Sequence, residues 1–310
     1  MSHDLVRAFC AIEHTLSVTA GAALMAAGCA TATNTARPVR PPAISCPAVY
    51  GHQGAEHERP GNTVASFARA AALGVGSEMD VQAEKGGWPV IMHNTTIDWS
   101  TGATGYVAQL EWSYLSTLRA TAQAPWNTSP WKDERVPSLG EALAAAGANG
   151  QPVLLDMHFL PTRPQFDHIW DCLVKYGLTN RVTVLGNQKI LGLVRQWYPA
   201  LATEIIEYPP AGYIRSADSA KACGATYGLA SRYLSGPLVA YYHASGLKVA
   251  AWTSDSPAED NESVWARLAG WGVDSITTGH PAELLAWEAK NCTKSNHTAL
   301  ARTNCCQSIK

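Results

Sequence analysis

Short apolar runs alternate with amphipathic stretches along nearly the whole chain, and that alternation leaves few folds open. From Ala48 the runs are Ala48–Gly51, Ser77–Ala83, Pro89–His93, Pro152–His158, Arg181–Leu185, Ala202–Ile206, Ala225–Ala230, Leu247–Trp252 and Ser275–Thr278. Most are followed by residues at helical spacing. Thr63–Leu73 places Val64, Phe67, Ala68 and Ala71 on one face, with Asn62 or Thr63 as cap and Gly74 as stop. Similar spacing predicts helices over Ser113–Thr121, Leu139–Ala146, Pro164–Tyr176, Lys189–Trp197, Ser216–Cys223, Pro237–Ser245, Glu262–Trp271 and Pro281–Ala289. Strands separated by helices of this length imply parallel βαβ units. Seven or eight such units fit a (β/α)8 TIM barrel better than an open doubly wound sheet. No G-x-G-x-x-G or G-x-x-x-x-G-K-[ST] occurs, so nothing supports a nucleotide-binding fold. Ala122–Pro137 is rich in Trp and Pro and has no period.

In a parallel barrel the functional groups sit at the C-terminal ends of the strands. The polar residues expected there are His52, Glu78, Asp80, His93, Asp156, His158 and Trp252. The pleat puts Glu78, Asp80 and Gln82 on one face of their strand, and Met79 and Val81 on the other. Asp156 ends a second apolar strand. Three carboxylates meeting at one point repel unless a cation lies between them, and hard oxygen ligands suit Mg2+ or Ca2+. Such an ion would neutralise a phosphate oxygen. His52 and His93 would then serve as acid and base. Gly51 and Gly54 flank the His52 turn and allow close approach of a ligand. Trp252 reads as pocket lining. His57 and Glu58 read as solvated or near the substrate, and His168 and His243 as structural.

Composition narrows the partner. The net charge is −2 and no Lys/Arg run interrupts the balance, which argues against nucleic acid as a partner. Leu16–Ala27 is apolar but short for a membrane span. It ends in Ala26-Ala27-Gly28-Cys29, so residues 1–29 read as an export signal, although Arg7 is its only Lys or Arg and Asp4 and Glu13 oppose it. Gly28-Cys29 resembles a lipoprotein cleavage box, and a lipidated Cys29 would anchor the chain to a membrane. Residues 30–46 read as a flexible spacer, 47–290 as the barrel and 291–310 as a tail. A secreted or cell-envelope location follows. Beyond Cys10 and Cys29 six cysteines remain, which permits up to three disulfides, with Cys292, Cys305 and Cys306 stapling the tail.

These residues, in this order, resemble the glycerophosphodiester phosphodiesterase family. The family's His-Arg-Gly and Pro-Glu-Asn-Thr stand here as His52-Gln53-Gly54 and Pro60-Gly61-Asn62-Thr63. Its Glu-x-Asp-Val is Glu78-Met79-Asp80-Val81, and its Pro-Val-x-x-His-Asp is Pro89 to Asn94. Val136-Pro137-Ser138-Leu139, Trp252-Thr253 and Gly272-Val273-Asp274 match later motifs, so the resemblance runs from about residue 48 to 289. It implies a (β/α)8 barrel that hydrolyses glycerophosphodiesters to sn-glycerol 3-phosphate and an alcohol with a divalent cation. His52 and His93 would be the acid/base pair. Glu78, Asp80 and Asp156 would bind metal, and Gln53, His158 and Trp252 would face the phosphate or substrate. Gln53 replaces the phosphate-facing Arg, Gly61 replaces Glu, and His158 replaces Lys. Those departures, with Asp as third ligand, are shared in part with sphingomyelinase D-type phospholipases. A hydrolase of lysophospholipid or sphingolipid headgroups is therefore the alternative, and a barrel that binds without catalysis a further one.

Overall fold

The computed structural model describes residues 45–210, 213–254 and 256–292. The expected export signal with Cys10 and Cys29, nearly all of the expected spacer, Asp255, and the tail with Cys305 and Cys306 lie outside the described residues. The strands are β1 (Ala48–Gly51), β2 (Gly76–Ala83), β3 (Pro89–Ile91), β4 (Val153–Met157), β5 (Val182–Gly186), β6 (Ala202–Glu207), β7 (Thr226–Ala230), β8 (Lys248–Trp252) and β9 (Ser275–Thr278). Eight of them are parallel neighbours in the order β1-β2-β4-β5-β6-β7-β8-β9, and β9 pairs back to β1, closing a (β/α)8 barrel. Among the described residues no helix is long and apolar enough to cross a membrane.

Alternation along each strand makes two layers. Val49, Met79, Leu155, Val184, Ile205, Leu229, Val249 and Ile276 face outward, into the core they share with Phe67, Phe166, Leu191, Trp265 and Leu284 of the helices. The opposite faces turn into the barrel, where Ala48, Tyr50, Leu154, Leu185 and Ile206 pack together. Burying this much apolar surface on both faces is what a parallel sheet requires. The helices follow their sequence signals. Thr63 Oγ1 caps Val64–Leu73 by accepting from the Ser66 amide, and Gly74, at φ 80°, ends it in the left-handed region. Cys46 and Cys292 form a disulfide that joins the start of the barrel to the end of its last helix, Pro281–Asn291. Cys172 and Cys223 are not disulfide-bonded.

Two expectations need correction. Pro89–His93 is not a barrel strand. Only Pro89–Ile91 is extended, and it runs antiparallel to the far end of β2, Val81 opposite Ile91. The cause is length, since β1 stops level with Ser77 and β2 continues to Ala83 without that neighbour. Ser113–Thr121 is not a helix either. Its helix is confined to Trp112–Leu115, after which Arg119 bridges to Arg135 in extended form. The stretch from β3 to Val136 has its own small core of Val90, Met92, Ile97, Val107, Leu115 and Val136.

Candidate active site

A cavity of about 410 Å³ opens at the C-terminal ends of the barrel strands. His52, Glu78, Asp80, His93, Asp156, His158 and Trp252 all line it, so the structure brings these seven predicted residues together. Register accounts for the acidic cluster. Asp80 lies opposite Asp156 across the β2–β4 pair, and Glu78 lies one inward step below Asp80. One oxygen from each of Glu78, Asp80 and Asp156 falls within 4.8 Å of the others. Glu78 Oε1 is buried with no hydrogen-bond partner among the described residues. A carboxylate oxygen left bare in such company lacks the compensation that buried charge demands, and a divalent cation would supply it. The donor set, all oxygen, fits Mg2+ or Ca2+.

The backbone turn after β1 completes the cluster. Gln53 has φ 48°, a left-handed conformation uncommon for a residue with a side chain. The turn directs the Gln53 amide N–H to Glu78 Oε2 at 2.8 Å, and its side-chain Nε2 donates to Asp80 Oδ2 at 2.8 Å. Gly51 is required here, since a Cβ would lie 1.8 Å from the Gly54 carbonyl oxygen. Asn62, also at positive φ, donates from Nδ2 to Asp80 Oδ2 at 2.6 Å. Gln53 thus braces the carboxylates and lines a neighbouring cleft rather than this cavity.

The histidines reach the cluster by different routes. His52 follows β1, its amide donating to the Thr278 carbonyl at 2.8 Å. Its Nδ1 sits 2.6 Å from Glu56 Oε1, and its Nε2 lies 4.0 Å from Glu78 Oε2. Burial works against a charge on His52, but Glu56, backed by Glu78 and Asp80, outweighs it and raises the pKa to about 10. His93 arrives by the antiparallel return. The Met92 amide donates to the Asp80 carbonyl at 3.0 Å, which sets the next residue beside the cluster. His93 Nδ1 is 2.8 Å from Asn94 Oδ1, and its ring lies 4.5 Å from that of His158. His158 Nε2 is 2.8 Å from Asp80 Oδ1 and 3.3 Å from Asp156 Oδ2. Burial opposes its charge as well, yet Asp156 and Asp80 lift its pKa to about 11. In return, although burial pushes Asp80 upward, His158 holds it below the usual carboxylate range. Glu78 moves the other way, raised by burial and by Asp80.

Three lining or bracing residues escape a reading by motif. Glu56, i+4 from His52, is recognisable only once the turn is seen. Asn62 stands inside a recognised motif but looks like a helix cap rather than a brace for Asp80. Glu204 did leave a signal, as an acid inside the run Ala202–Ile206. It is buried, lines the cavity, and burial with the nearby Asp156 raises its pKa to about 8. Other histidines lie apart from the carboxylates. His57 stacks on His280, His168 stacks on Trp88, and His243 Nε2 is 2.9 Å from Asp274 Oδ2. Glu58 pairs with Arg69. Trp252 meets Tyr208 edge-on, ring centres 5.2 Å apart.

A closed parallel barrel with acid residues and histidines gathered at its mouth has the layout of a metal-assisted hydrolase. Comparison with known proteins agrees. The model of the glycerophosphoryl diester phosphodiesterase family matches residues 52–283, and the chain belongs to that family. The glycerophosphodiester phosphodiesterase of Caldanaerobacter subterraneus is 29% identical over 261 residues, covering 76% of this chain and 96% of that one. Among solved structures, an Oleispira antarctica phosphodiesterase in complex with sn-glycerol-3-phosphate superposes with a TM-score of 0.68 at 21% identity, over 79% of this chain and 97% of that one. The glycerophosphodiester phosphodiesterase of Thermotoga maritima gives 0.60 at 15% identity, over 77% and 97%. At these identities the two structures bear on the fold alone.

Proposed function

We propose that this enzyme hydrolyses glycerophosphodiesters to sn-glycerol 3-phosphate and an alcohol, with a divalent cation held by Glu78, Asp80 and Asp156 and with His52 and His93 as acid and base. The observation that carries the reading is the cluster itself, three carboxylates within 4.8 Å with Glu78 Oε1 bare among them and a histidine on either side. When bound, the cation would neutralise phosphate oxygens and stabilise charge that grows in the transition state.

The chain's own groups divide the remaining work. His52 is held in its charged form by Glu56, so it is the proton donor to the departing alkoxide oxygen. His93 is exposed at the cavity it shares with His52, so it takes the proton of the attacking water. His158 stands where the family has lysine. Its contacts with Asp80 and Asp156 keep a positive charge at the edge of the phosphate site, which the Gln53 amide does not provide. Trp252 and Tyr208 form an aromatic wall against which a glycerol backbone can lie.

The test is product analysis with defined metal. Chelated enzyme should be inert on glycerophosphocholine, and Mg2+ or Ca2+ should restore release of glycerol 3-phosphate. Release of phosphocholine, or no release under any metal, refutes the reading. We propose further that residues 1–29 direct export. The Cys46–Cys292 disulfide supports this, since such bonds persist in oxidising compartments. Mass spectrometry of the exported chain should find the signal removed, and finding the intact N-terminus on it would contradict that.

A further inference from the structure

Beside the catalytic cavity lies a second cleft of about 600 Å³. His93 lines both, so the two spaces meet at a proposed catalytic residue. One wall of the cleft is the loop after β1, with Gln53, Glu56 and Gly61. The other is the segment between β3 and the helix Leu139–Ala146, with Trp99, Gln123 and Trp126.

Two departures from the family motif shape this cleft, and they are physically coupled. A Cβ on Gly61 would lie 2.5 Å from Gln53 Oε1, 3.1 Å from Gln53 Cβ and 3.2 Å from Glu56 Cβ. Any side chain at 61 would therefore press on Gln53 and on the residue that holds His52. With glycine there, Gln53 turns down to Asp80 and the cleft stays open past it. The pair removes both the positive and the negative side chain that the family motif places in this loop.

The lining then identifies the class of occupant. A phosphodiester has two arms, and a phosphate at the carboxylate cluster would leave one arm for each space. Among the described residues no lysine or arginine lines the cleft, and the one carboxylate there, Glu56, is taken up by His52 at 2.6 Å. Beside the imidazoles of His57 and His93, the lining offers two indoles, the amides of Asn94 and Gln123 and the hydroxyl of Ser100. Flat aromatic faces beside neutral hydrogen-bonding groups match a ring that carries hydroxyls on its edge and C–H bonds on its face. Resting on the proposed phosphodiester hydrolysis, we propose that this cleft receives the alcohol arm of the diester, and that Gly61 with Gln53 holds it open for a bulky neutral sugar or polyol.

The experiment compares kcat/KM on glycerophosphoinositol, glycerophosphocholine and glycerophosphoethanolamine for the wild type, Trp126→Ala, Trp99→Ala and Gly61→Glu. Trp99 and Trp126 touch neither the carboxylates nor the histidines in any interaction above, and thermal melts check that each variant folds. The inositol-to-ethanolamine ratio of kcat/KM should fall about tenfold in each variant, carried mainly by KM in the tryptophan variants, which corresponds to about 1.4 kcal/mol. An unchanged ratio overturns the proposal. So does a fall for choline in place of inositol, because that would assign the indoles to a cationic arm. Saturation-transfer NMR with glycerophosphoinositol separates this inference from the reading beneath it. If the wild type turns over no diester, saturation of the inositol protons that disappears in Trp126→Ala still supports the cleft, while no saturation in the wild type overturns it.

Discussion

His52 and Glu56 show how one contact sets a chemical role. The 2.6 Å approach of the Glu56 carboxylate is what keeps the imidazole charged despite its burial. In Glu56→Gln the pKa of His52, the proposed proton donor, falls, so the alkaline limb of the kcat/KM profile should move to lower pH by about one unit or more. A pH–rate series on the metal-loaded enzyme measures this, and an unmoved limb would remove Glu56 from the account. His52→Ala and His93→Ala should each lower kcat by ~10²-fold or more with the far-UV spectrum unchanged. Near-normal turnover in either would contradict its role. Glu204 gives a stability prediction. Its folded pKa, about 8, lies above that of an unfolded carboxylate, so the folded state binds the proton more tightly. Stability is therefore lost as pH rises between the unfolded value and about 8, and Glu204→Gln escapes that loss. Melts in chelator should show the variant gaining on the wild type from pH 5 to pH 9 by about 2–4 kcal/mol. A constant gap would show that the carboxyl is not held neutral.

Single elements explain what the sequence revealed and what it concealed. The eight barrel strands were legible because a parallel sheet covered on both faces requires near-continuous apolar runs, and Val153-Leu154-Leu155 or Val249-Ala250-Ala251 can be little else. The acidic cluster was legible too, since a carboxylate in such a run, like Asp80 or Asp156, stands against its surroundings. The direction of β3 was not legible. It depends on β2 outrunning β1, a matter of register between segments that no local pattern records. The segment from Thr95 to Pro137 was illegible for a related reason. It is held by isolated bridges such as Thr96–Tyr106 and Arg119–Arg135 and by a core drawn from scattered residues, and neither has a period. Asp260 belongs to the same category. It is buried and accepts from Thr253 Oγ1, Trp265 Nε1, Thr278 Oγ1 and the Gly279 amide, tying the ends of β8 and β9 together. Asp260→Ala leaves those donors unsatisfied and should cost about 3 kcal/mol or more in urea unfolding. A cost below about 1 kcal/mol would mean that other acceptors replace it.

At the scale of the whole molecule the barrel is closed twice, by the β1–β9 pair and by the Cys46–Cys292 bond outside it. The cross-link spans 246 residues, so the loop it forbids in the unfolded chain is nearly the whole domain. Cys46→Ser with Cys292→Ser should lower stability by about 2–4 kcal/mol with little change in kcat, because Cys46 precedes β1, at the opposite end of that strand from the mouth, and the bond acts on the unfolded state. Closure also explains why the site's division of labour could be seen in the sequence only in outline. Carboxylates and histidines from β1, β2, the β3 return and β4 meet because the sheet curls on itself, and the bracing residues Glu56, Asn62 and Glu204 acquire their roles only from that meeting. The central claim is that this mouth cleaves a glycerophosphodiester with a cation among its three carboxylates. The most direct measurement is 31P NMR of glycerophosphocholine incubated with chelated enzyme before and after addition of Mg2+ or Ca2+, beside Asp80→Asn. The account predicts a glycerol 3-phosphate signal that appears only with the cation and is absent from the variant. The same signal in the presence of chelator, or its persistence in Asp80→Asn, would contradict it.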